Sequence, residues 1–162
     1  MLKKIFFVLL IALVVIQFFH PEKNNVNSRA ALSNDISRIF PVPDSVQNIL
    51  QNSCYDCHSN NTQYPWYAEI QPVAWWLNDH IKEGKKEINF NEFATYSLRR
   101  RYKKFAEIIE QVKKDEMPLG SYTFIHRDAK LSKDQMLALT SWASATSDSM
   151  KAKYPADILK RK

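Results

Sequence analysis

The only two cysteines of this 162-residue chain lie three residues apart, and a histidine follows the second directly: Cys54-Tyr55-Asp56-Cys57-His58. No other stretch restricts the fold as tightly. Two thiols on one tight turn can each form a thioether with one of the two vinyl groups of a haem, and a neutral imidazole beside them can bind its iron from the proximal side. A chain that uses the motif this way builds its core around one flat, covalently held group, haem c. The other readings of such a pair are a structural disulfide, a redox-active dithiol and half of a zinc site. With no cysteine elsewhere and four histidines in all, a zinc site would draw its remaining ligands from scattered side chains. None of these three readings gives His58 a task.

The length suits one modest globular domain. Lys3 and Lys4 precede an uncharged apolar run from Ile5 to Phe19, the pattern of an export signal. No small-x-small cleavage site follows, so residues 1–20 are expected to act as an uncleaved anchor, with cleavage to a soluble form as the alternative. Either way the remainder is delivered to the periplasmic side of the bacterial cytoplasmic membrane. Residues 21–40 are polar and aperiodic and read as a tether, 41–146 as the haem-binding domain, and 147–162 as a basic tail with little to bury.

Within the domain, Asp44 and Gln47 can form a capping box for a helix that runs into Cys54. Pro72 opens a second helix, with Val73, Trp76, Leu77, His80 and Ile81 on its apolar stripe and Gly84 just past its end. The aromatics of Tyr64-Pro65-Trp66-Tyr67 and of this helix suit the walls of a porphyrin pocket, although a core without a cofactor would use them equally. The carbonyl of Pro65 or of Pro72 can take the second imidazole proton of His58. Leu98, Tyr102, Phe105, Ile109 and Val112 form one face of a third helix over residues 97–115. Its first turn carries Arg99, Arg100 and Arg101, read as a solvated basic face, as partners for haem propionates, or as a docking surface for an acidic partner or anionic lipid. Ser132 with Gln135 caps a last helix that fades after Trp142. The fold class is therefore all-α. Nothing points to nucleic acid as a partner.

The sixth iron ligand is sought after the third helix. Met117 precedes Pro118, which holds it on extended backbone, so its thioether can project from a loop. His126 and His80 are the weaker candidates, and an open sixth site is the remaining possibility.

A helix ending in Cys-x-x-Cys-His, a middle helical region, a Met-Pro loop and a final helix opening Leu-Ser-x-x-Gln together resemble a class I cytochrome c. More closely, the stretch Cys54 to Asn60, Tyr64-Pro65-Trp66, Pro72-Val73-x-Trp75-Trp76-Leu77, His80-Ile81 and Glu116-Met117-Pro118 are similar to the small bacterial haem-binding domain family of exported mono-haem proteins. The resemblance covers about residues 41–145 and implies one covalent haem with His58 proximal. Ser59 stands where class I cytochromes often have glycine, and the chain has only Gly84 and Gly120, so their loop paths are not transferred. The expected task is one-electron transfer with an unassigned redox partner. The alternative is small-ligand binding or sensing at the iron, and no substrate chemistry is indicated.

Overall fold

The computed structural model describes residues 1–25 and 33–159. Among them there are eight α-helices and several short 3-10 turns, with no strand beyond an isolated bridge between Asn25 and Asn61. The all-α expectation therefore holds.

Helix α1 (Leu2–Ile16) has no buried residue. At 1.5 Å per residue its 15 residues reach about 22 Å, against a hydrocarbon layer of about 30 Å. No helix among the described residues is long and apolar enough to cross a membrane, so the expected spanning anchor is not supported. Much of the stretch read as a tether is docked. The Asn24 side chain donates to Ser59 O and Thr62 Oγ1 at 2.8 and 2.9 Å, and Asp35 and Ile36 are buried. Residues 26–32 lie outside the described part.

Helices α2 (Asp44–Ser53), α5 (Leu98–Lys113) and α7 (Lys133–Lys153) build the main core. Their apolar stripes follow the helical period: Val46, Ile49 and Leu50 on α2, Phe105 and Val112 on α5, Leu139, Trp142, Ala143 and Met150 on α7. Phe105 is the hub. It is 0 % exposed, and its ring lies edge-on to Phe40, Phe93 and Trp142 at centroid distances of 5.2, 5.5 and 5.6 Å. Trp142 Nε1 donates to Pro41 O at 3.0 Å, which ties the entry of the domain to α7.

The predicted capping box of Ser132 with Gln135 is present on α7, and Ser97 also caps α5 by accepting from Arg100 N. The capping box at Asp44 is absent: Pro43 is the N-cap, and the Gln47 amide turns instead toward Tyr55 Oη at 3.5 Å. Helix α7 continues past Trp142 because Thr146, Ser147 and Met150 are buried. The basic tail is also used, since α8 (Ala156–Leu159) buries Leu159 and packs on α5.

Phe105→Ala is expected to cost about 3–5 kcal/mol in a urea unfolding experiment, because it removes an aromatic at the junction of three others. Phe124→Ala, at a side chain 79 % exposed, is expected to change stability by less than about 0.5 kcal/mol.

Candidate functional site

The Cys54–His58 motif is a single helical turn. Cys54 ends α2 and caps α3 (Tyr55–His58). Its carbonyl accepts from Cys57 N at 3.2 Å and His58 N at 2.9 Å, so both thiols and the imidazole leave the same turn. Tyr55 fixes that turn to the domain: its ring stacks on Phe90 at 5.4 Å, and its hydroxyl donates to Asp35 Oδ2 at 3.3 Å.

Helix α4 (Val73–Glu87) lies directly against the turn, and Gly84 makes this approach possible. A Cβ there would stand 2.7 Å from Cys57 O and 3.2 Å from Cys57 Cβ. Gly84 is thus inside the helix and not past its end. The same closeness brings the carbonyls of Gly84 and Ile88 to 2.8 and 3.1 Å from His58 Nδ1. These two carbonyls, and not those of Pro65 or Pro72, take the imidazole proton. With the proton on Nδ1, Nε2 keeps its lone pair for a metal.

Cys54, Cys57 and His58 line a slot made of two adjoining chambers, about 290 and 420 Å³ in volume, which share Ser53, Cys54, His58, Glu87, Met117 and Pro118. Those volumes are in keeping with a cofactor site. The cysteines are free thiols. Burial pushes Cys54 up to about 12, helped by Cys57, and pushes Cys57 up to about 11, helped by the Asp56 carboxylate. Both are therefore S–H groups at neutral pH. Burial also holds His58 below the usual imidazole value, although its contacts with the Ile88 and Gly84 carbonyls act in the opposite direction. Its ring is neutral at neutral pH, the form that ligates.

Among the candidates for the distal position, Met117 lines both chambers and His80 lines one. His80 Nδ1 is committed to Trp76 O at 2.9 Å. His126 lines neither chamber. Its Nε2 bonds Tyr67 Oη at 2.5 Å, and its ring stacks on Tyr122 at 4.4 Å. Arg99, Arg100 and Arg101 also lie away from the slot. Their guanidinium groups donate to the carbonyls of Asp157, Lys86 and Ala94 respectively, and Arg100 covers the Tyr96 ring at 3.8 Å. Among the described residues, Lys104 is the only lysine or arginine lining either chamber, and it is paired with Glu87 at 3.2 Å and Glu107 at 2.6 Å. The tryptophans expected as pocket walls are elsewhere too: Trp66, Trp75 and Trp76 are exposed and line neither chamber.

Sequence reasoning missed Tyr122. It stands on α6 (Gly120–Ile125), just after the Met-Pro loop, and donates to Asp56 Oδ2 at 2.6 Å. This bond ties the segment that follows Met117 to the attachment motif. No spacing rule pairs residues 66 positions apart, and an aspartate whose burial is unknown signals no partner.

Gly84→Ala is expected to lower stability by about 1–3 kcal/mol, since the added methyl group has to push α4 off Cys57. Gly120→Ala, where a Cβ meets nothing within 4 Å, is the matched control and is expected to stay within about 0.5 kcal/mol of the parent. Equal denaturation midpoints for the two variants would contradict the close approach.

The residues therefore fit a haem: two S–H groups and a neutral, oriented imidazole face one apolar slot that a methionine also lines. No curated protein and no solved structure shows significant similarity to the chain. A family model described as a haem-binding domain matches residues 11–145, which is most of the sequence. The chain belongs to this family of haem-binding domains.

Proposed function

We propose that the chain is a mono-haem c-type protein that carries single electrons on the outer side of the cytoplasmic membrane. The observation that carries this reading is the shared slot, in which Cys54, Cys57, His58 and Met117 are brought together from two separate parts of the chain. A haem held there would supply a one-electron iron couple. The protein's part is to hold it. Cys54 and Cys57 offer the two thiols for covalent attachment, and His58 offers Nε2 while the Gly84 and Ile88 carbonyls keep its ring from turning. Met117 is the proposed sixth ligand, presented by a loop whose following segment is pinned through Tyr122 to Asp56. With His58 and Met117 both held by the protein as ligands, little would have to rearrange between oxidation states, which suits a carrier.

A redox partner would dock beside the slot on the side lined by Asp79 and Glu83, which a basic partner face would match, whereas the arginine cluster elsewhere would match an acidic one.

Reduced and oxidised absorption spectra test the reading. The expected result is a six-coordinate c-type spectrum, with a near-infrared sulfur-to-iron band that disappears in Met117→Ala. Reduced wild type is expected to bind carbon monoxide slowly, and Met117→Ala rapidly. Rapid binding by the wild type would contradict the carrier and favour a ligand-binding haem module.

A further inference from the structure

One surface feature is left over from the slot. Phe18, Phe19, Trp66, Ile70, Trp75 and Trp76 are all exposed, Trp66 to 77 % and Trp76 to 46 %. They come from three places in the chain: the exit of α1, the 3-10 turn Trp66–Glu69 with the residue after it, and the first turn of α4.

Specific hydrogen bonds hold these pieces together. Gln17 and Gln71 exchange bonds, Gln17 Nε2 to Gln71 O at 3.2 Å and Gln71 N to Gln17 Oε1 at 2.9 Å. The Phe19 carbonyl accepts both Gln71 Nε2 at 2.7 Å and Trp75 Nε1 at 2.9 Å. The one carboxylate inside the patch, Glu69, is paired with Lys23. The root of α1 is therefore clamped to the aromatic face.

The geometry points to this face as a lipid-contact surface that seats the haem-binding domain on a bilayer in one orientation, with α1 in the apolar layer. This rests on the membrane-side location proposed above. Three observations carry it. First, from Ile5 onward α1 is apolar around its whole circumference and has no buried residue. A protein partner would cover one stripe, whereas lipid surrounds a helix on all sides. Second, the aromatic face is continuous with α1, and tryptophan is the side chain enriched at the boundary between hydrocarbon and water. Third, α1 is short. A short apolar helix is accommodated by drawing its flanking residues into the interface, and here the flanking residues include a rigidly attached tryptophan face. From Trp75 to Gly84 the axis of α4 advances about 14 Å. The slot lining of α4 begins nearer, at Asp79 and His80, about 5–6 Å along the axis from Trp76, and the Trp76 ring packs on His80 at 4.2 Å, so the lipid contact and the slot adjoin along α4.

The test uses the full-length holoprotein mixed with phosphatidylcholine–phosphatidylglycerol vesicles that contain a phospholipid with a diazirine in its upper acyl chain. After flotation and photolysis, adducts are mapped by mass spectrometry. The expected result is adducts on α1 and also on Trp66, Ile70, Trp75 or Trp76. Leu137 is equally exposed but lies on α7, which packs on α2 and α5, and it is expected to carry none. Trp66→Ser/Trp76→Ser is expected to lose the adducts on Ile70 and Trp75 while still floating. Adducts confined to residues 5–19 would overturn the surface but leave the membrane-side location standing. Failure to float would overturn both.

Discussion

The slot depends on how closely α4 lies against the Cys54–His58 turn. One hydrogen in place of a methyl group, at Gly84, lets two segments meet at a distance no other residue permits. That contact positions the Gly84 and Ile88 carbonyls on His58 Nδ1. A histidine with its proton fixed on one nitrogen by two acceptors has both its tautomer and its ring plane decided before any metal arrives. The energetics of α2, α5 and α7 serve this arrangement indirectly. The phenylalanine cluster around Phe105 makes a rigid base from which α2 presents Cys54.

The distal side is built by a different device. Met117 sits after α5 on a short irregular segment that has little core of its own, and no residue of α6 is buried. Its attachment comes from a charged hydrogen bond, Tyr122 to Asp56. Proximal and distal parts of the slot are therefore linked through the motif itself, since Asp56 lies between the two cysteines. The proximal wall is fixed by packing, and the Met117 segment by polar contacts: besides the Tyr122–Asp56 bond, Met117 N donates to Gln111 O at 3.3 Å, and His126 at the end of α6 bonds Tyr67.

Local signals in the sequence carried the elements well. The periodicity of Leu98 to Val112 and the Ser132–Gln135 box are short-range features, set by helix geometry and end effects, and both are found where the pattern puts them. The Cys54–His58 turn was legible for the same reason, because its five residues are contiguous. What escaped were pairings between distant residues of ordinary type. Pro65 and Pro72 were the nearby carbonyl candidates for His58, yet α4 folds back so that residues 84 and 88 take that role. Gly84 read as a helix stop because glycine favours helix ends, whereas here it answers a demand for space made by another segment. The tryptophans read as pocket walls because large aromatics usually look for burial, and their exposure beside α1 was visible only in three dimensions. Arg99, Arg100 and Arg101 were left between three readings, and their bonds to main-chain carbonyls far along the chain were not foreseeable.

The central claim is that Cys54 and Cys57 together fasten one haem whose iron His58 holds. The most direct measurement is the intact mass of the purified, fully denatured holoprotein from a host able to attach haem to such motifs. The account predicts the mass of the chain plus one haem, with the increment absent after Cys54→Ala/Cys57→Ala. A haem that is released on denaturing the wild-type protein, leaving the bare chain mass, would contradict it.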